Sequence, residues 1–130
     1  MRIEDFGGVS DLANEEDIEK ALAKRYGEGV NEFWLFYTDN KFPAISILVK
    51  GDIAALHYFP KDQDPGMTSI GGRLNLEAGG TTIFYINTTE EEQEVPNGMI
   101  VPFSLALRAA KQFFVHKEPP TCIEIGRAHV

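Results

Sequence analysis

Three stretches of this chain bring together residues that could do chemistry. The first is "TSIGGRLNLEAGG", Thr68 to Gly80, in which two Gly-Gly pairs flank Arg73. Glycine-rich backbone beside a cation is a common phosphate cradle. The second is "HKEPPTC", with His116-x-Glu118 followed by Cys122. Zinc nucleobase deaminases use a His-x-Glu and then two cysteines, with the glutamate moving protons and the others holding the metal. The third is a pair of acidic runs, "KDQDPG" with Asp62 and Asp64, and "TEEEQE" with Glu90, Glu91, Glu92 and Glu94. Clustered carboxylates either hold a hard cation or present an anionic surface.

Each chemistry needs partners that the spacing withholds. A Walker loop needs a lysine after its last glycine, and neither Gly-Gly pair is followed by one. A dinucleotide fingerprint runs from a strand into a helix, whereas "TTIFYI" after Gly80 reads as a strand. The glycines then serve turns and bulges that require positive φ. Cys122 is the lone cysteine of the chain, so a deaminase zinc set and a disulfide both lack a second thiol. His116 is better placed as a helix C-terminal residue facing the dipole. Neither acidic run has the alternating oxygens, central glycine and terminal glutamate of a calcium loop. "TSIGG" is not the Gly-x-Ser-x-Gly of a nucleophile elbow. His57, beside Tyr58 in a strand, has no serine or cysteine partner nearby and reads as a structural histidine. No catalytic residue, metal site or cofactor is expected.

The elements that carry these residues follow from periodicity. Asn14 is an N-cap, and Ile18, Ala21 and Leu22 share one face of an amphipathic helix, with Tyr26 a turn further and Gly27 or Gly29 as its stop. "EFWLFYT", "FPAISILVKG" and "IAALHYFP" form an antiparallel meander, closed between the second and third by "KGD". A short strand passes through "MTSI", and "TTIFYINT" adds a core strand. Pro102 opens a second helix, "FSLALRAAKQFFVHK", with Leu105, Ala109, Gln112, Phe113 and His116 near one face and Phe103, Leu107, Ala110 and Phe114 widening it. Pro119 and Pro120 end that helix, and "TCIEI" returns as a last strand. The expectation is an α+β domain, with an antiparallel sheet of about five to six strands and two helices packed against it. It spans residues 1–125 as a single domain, with 126–130 as a C-terminal tail.

A chain of 130 residues suffices for one such core, and its net charge of -8 points away from nucleic acid as a ligand. The same charge suits a basic protein partner, because it speeds and orients encounter. The N-terminal "MRIEDFGGVSDLANEE" lacks an apolar secretory core, and no apolar run reaches the length of a membrane span. Cytoplasmic residence is expected.

On these residues a resemblance rests. "NEFWLFYTDNKFPAISILVKGDIAALHYFPKD", then Gly-Gly before "TTIFYI", then "VPFSLALRAAKQFFVHKEPPTCIEI", resembles the Imm-one family of bacterial immunity proteins, which accompany interbacterial toxins. It is most similar to those that guard against cytosine deaminase toxins acting on DNA. The features shared are the Lys41-Phe42-Pro43 turn, Gly51 to Ala54, the aromatics near Tyr58, Ser69 to Gly72, and Ala109 to Phe114. The resemblance implies a protein that is not an enzyme and that binds a cognate toxin domain, a deaminase first and a nuclease otherwise.

Charge and loop position, rather than the resemblance, nominate the contact residues. They are Asp62 and Asp64 in one loop and Glu90, Glu91 and Glu92 in the other, with Tyr58 and Arg73 beside them. The acidic loops would steer the approach, aromatics would supply the central energy, and the Gly-Gly pairs would let the partner's backbone come close. The alternative is a small ligand-binding domain or enzyme with a pocket around His57, Tyr58 and Arg73.

Overall fold

The structure is a computed structural model, and it describes residues 1–71 and 74–127. Its elements run β1 (Arg2–Asp5), β2 (Gly8–Asp11), α1 (Glu15–Leu22), β3 (Val30–Phe36), β4 (Ala44–Lys50), β5 (Ile53–Phe59), β6 (Met67–Ser69), β7 (Thr81–Tyr85) and β8 (Glu92–Pro96). A 3-10 turn (Asn97–Met99), β9 (Val101–Pro102), α2 (Phe103–His116) and β10 (Ile125–Arg127) complete the chain. The main sheet is antiparallel with the order β10-β6-β5-β4-β3-β1-β2, and β9 pairs with the part of β5 that β6 leaves open. β7 and β8 form a separate antiparallel hairpin. The expected α+β architecture with two helices is therefore what the chain adopts.

Alternation along the meander sorts its side chains. Phe33 and Leu35 of β3, Ile45, Ile47 and Val49 of β4, and Ala54, Leu56 and Tyr58 of β5 enter the core beneath both helices. From α2 the core receives Ala106, Ala109, Ala110 and Phe113, a stripe at helical spacing whose three alanines bring the helix close to the sheet. From α1 it receives Ile18, Ala21 and Leu22. The helices are further tied by the Lys111–Glu19 ion pair.

Several local expectations shift. The cap of α1 is as expected, with the Asn14 side chain accepting from the Asp17 amide at 2.9 Å, while Asp17 in return accepts from the Ala13 amide at 2.8 Å. The helix nonetheless ends at Leu22. Tyr26 has left it and pairs with Val30 across a turn in which Gly27 and Gly29 take positive φ. Pro102 is the N-cap of α2 rather than its first residue. Gln112 does not enter the core. Its carbonyl oxygen accepts from the Thr121 and Cys122 amides at 2.9 and 3.1 Å, holding the segment that leads to β10. The hairpin β1–β2 and the strand β8 were not expected, and β8 draws Glu92 out of the acidic loop.

The glycine-rich stretch is structural. Ser69 accepts from the Leu56 amide at 3.0 Å and donates to the Met99 carbonyl at 2.6 Å, pinning the 3-10 turn to the sheet edge. A Cβ on Gly71 would lie 2.0 Å from the Ile100 carbonyl oxygen. The backbone that comes close there is the chain's own, which corrects the expectation that this glycine serves a partner's backbone.

Candidate functional site

The helices cover one face of the main sheet, and the other face is only half covered. There the outward residues are Glu32, Trp34 and Phe36 of β3, Ala44, Ser46 and Leu48 of β4, and Ala55, His57 and Phe59 of β5. The β7–β8 hairpin lies over the Leu48 and Ala55 end, where Phe84, Val95 and Ile100 bury themselves with Ala55 in a second small core. Two polar ties hold the hairpin to the sheet. The Lys50 ammonium donates to the Ile83 carbonyl at 3.1 Å, and the Asn87 amide donates to Glu32 Oε1 at 2.9 Å. Within the hairpin, the nearly buried Asn97 side chain accepts from Thr82 Oγ1 at 2.6 Å and donates to the Glu77 carbonyl at 2.9 Å, which joins the two strands to the loop before them.

Beyond the hairpin the face stays open, and it is aromatic. Register places Trp34, Ser46 and His57 in one row and Phe36, Ala44 and Phe59 in the next. Serine and alanine on the middle strand leave a trough, and the large rings from either side lean across it. Trp34 stacks on Phe59 with centroids 5.5 Å apart, and Phe59 stacks on His57 at 4.4 Å. Trp34 lines three adjoining grooves. One, of about 350 Å³, runs between the sheet and the hairpin past Glu32, His57, Phe59 and Glu94. Another, of about 270 Å³, is bounded by Glu4, Phe36, Lys41 and Phe42. The third, of about 130 Å³, is bounded by Glu4, Asp5, Phe6, Glu32 and Asn87.

The electrostatics of this face follow from its half-burial. Loss of water pushes the Glu32 carboxyl above its ordinary value, an effect the Asn87 amide and the Trp34 side chain oppose and Glu91 and Glu4 reinforce. Burial likewise lowers His57, partly offset by its 3.1 Å bond to the Pro65 carbonyl. That bond requires a proton on Nε2, since a carbonyl oxygen only accepts.

The expected contact residues are distributed differently. Asp62 is exposed in the loop after β5. Asp64 is engaged: it accepts from the Gly66 amide at 2.8 Å and pairs with Arg127 of β10, and these contacts, with the arginine first, hold its carboxyl below the usual range. Glu90 and Glu91 are exposed at the β7–β8 turn and Glu92 at the start of β8. Tyr58 is 4% exposed, its ring edge-on to Phe113 under α2. It has no surface to offer a partner, and alternation gives the outward direction to His57 and Phe59 instead. For the same reason a pocket containing both His57 and Tyr58 is divided by the sheet. Arg73 lies outside the described residues. The Trp34 face was not among the expected contacts. Its signal was present in "EFWLFYT", which is too aromatic for a strand with only one buried side.

Partly exposed Trp and Phe, ringed by carboxylates on a rigid sheet, have the make-up of a protein-docking face. Comparison with known proteins sharpens this. No family model matches the chain. A double-stranded DNA deaminase immunity protein of Burkholderia cenocepacia (strain H111) is 31% identical to it over 120 residues, which cover 92% of this chain and 94% of that one. The chain belongs to the family of DNA deaminase immunity proteins, as the resemblance in its sequence implied. Among the described residues, no three of His, Cys, Asp and Glu are grouped to hold a metal ion, and no helix is long and apolar enough to cross a membrane.

Proposed function

We propose that this protein binds a cognate DNA deaminase toxin in the cytoplasm and neutralises it by covering the cleft that takes up DNA. It acts by binding, not by catalysis. The observation that carries the reading is the end-to-end similarity to a double-stranded DNA deaminase immunity protein. The surface supports it. A toxin that grips duplex DNA must present clustered Lys and Arg to phosphates, and a chain of net charge -8 complements such a cleft. The exposed Glu90, Glu91, Glu92 and Asp62 steer the approach, while the rings of Trp34 and Phe59 form the centre of the contact in place of Tyr58.

The test is co-expression with the product of the gene directly upstream, followed by a DNA deamination assay with both purified proteins. The expected result is restored growth, a stable complex on gel filtration, and loss of deamination at equimolar inhibitor. Full deaminase activity in the presence of saturating inhibitor would overturn the reading.

A further inference from the structure

We propose that the groove over Trp34 is a receptor for one arginine side chain of the partner: its guanidinium stacks on the Trp34–Phe59 rings and pairs with the Glu32 carboxylate. This rests on the reading of the partner as a DNA-binding toxin. The face offers what a guanidinium recognises and what other side chains use only in part. An apolar side chain would gain from the rings but would bury the Glu32 charge with no cation to offset it, a costly outcome. A lysine would meet the charge but lacks the flat, weakly hydrated surface that stacks on aromatic rings. Arginine uses both, by cation–π contact and a charge-assisted hydrogen bond.

The geometry is prepared for this. The Asn87 amide donates to Glu32 Oε1 at 2.9 Å, and the Trp34 side chain adds a hydrogen bond to the same carboxylate, so the group is fixed at the edge of the rings. Glu32 and Glu94 line the same 350 Å³ groove as Trp34, His57 and Phe59. Glu4 and Glu94 form no ion pair with another described residue. The cation nearby, Lys41, lines the neighbouring groove on the Phe36 and Phe42 side. His57 ends the row of rings, stacked on Phe59 and held by the Pro65 carbonyl.

Trp34 is the single tryptophan of the chain, so its fluorescence reports occupancy directly. The probes are N-acetyl-arginine methylamide and its lysine and norleucine counterparts, titrated into the full chain. The arginine probe should give a saturable change, with the lysine probe weaker and the norleucine probe weakest. Glu32→Gln should weaken the arginine probe by roughly 10-fold. Against the toxin domain, Trp34→Ala should weaken binding by about 30-fold or more, Glu32→Gln by about 10-fold, and Trp34→Phe, which keeps a stacking face, by less. Thermal melts of the three variants establish that they are folded. An equal response to norleucine, no saturable response to arginine, or unchanged toxin binding by both Glu32→Gln and Trp34→Ala would overturn the proposal while leaving the immunity reading in place. Failure of the unsubstituted protein to bind the toxin would instead remove that reading and the toxin as the source of the arginine.

Discussion

Among the described residues the β7–β8 hairpin shares no strand ladder with the main sheet, so its attachment rests on side chains, and one of them dominates. Phe84 is fully buried, 0% exposed, between the hairpin and the open sheet face. It packs in the small core with Ala55, Val95, Ile100 and the partly buried Leu48, Ile53, Leu74 and Met99. Replacing it by alanine removes the largest side chain of that cluster. A buried Phe→Ala change costs about 3–5 kcal/mol, combining lost transfer energy with the cavity left behind. A domain of this size has roughly 5–15 kcal/mol in all, and each kcal/mol moves the melting temperature by about 3–5 °C. Phe84→Ala should therefore lower Tm by on the order of 10–20 °C. The loss should also be uneven. Because the Lys50 and Glu32 bonds and the smaller side chains of that core would be left to hold the hairpin, amides of residues 81–96 should exchange through a local opening, well before those of β4. Hydrogen exchange followed by mass spectrometry resolves the two segments. A Tm drop of under about 3 °C, or equal loss of protection in β4 and the hairpin, would show that the hairpin is not a unit hung on Phe84.

Three further outcomes are expected. Gly71→Ala places a methyl group 2.0 Å from the Ile100 carbonyl oxygen, a backbone atom that cannot step aside, so urea unfolding should show a loss of about 1–3 kcal/mol or more; an unchanged midpoint would mean the loop yields freely. Burial lowers His57 in the folded state, so the unfolded chain takes up the proton first and stability falls as pH drops below the ordinary value of 6.5; His57→Gln should flatten that acid-side decline in urea midpoints measured from pH 5 to 7.5, and an unchanged slope would refute the cause. Reversing Glu90, Glu91 and Glu92 to lysine together should slow association with the toxin domain and lessen its salt dependence, with dissociation little changed; unaltered association rates in stopped flow would leave that turn as solvated surface.

What could be read from the sequence depended on how much of each element the core claims. The meander and α2 were legible because their apolar residues are dense enough to declare a period. The hairpin β1–β2 was not, because of its eight residues only Ile3 is buried and the pairing is made by backbone. β8 escaped for the same reason, since Val95 is its single buried residue and Glu92 to Glu94 read as loop. Tyr26 falls at helical spacing after Asn14 and so suggests a longer helix, yet the Gly27–Gly29 turn claims it for a bridge to Val30. The site turned on one parity. In β5, choosing Tyr58 over His57 and Phe59 chooses a face, and a strand reverses every side chain with a shift of one residue. That parity is settled by events distant in sequence. The alanine stripe of α2 and the Ile18–Leu22 stripe of α1 both come down on the face of Leu56 and Tyr58. The other face receives only a five-residue hairpin strand pair, which reaches Leu48 and Ala55 but stops short of Trp34 and Phe59. Large rings stay partly in water there because no further element among the described residues covers them. A partner that brings its own cation and apolar stem would complete the layer that the fold leaves unfinished.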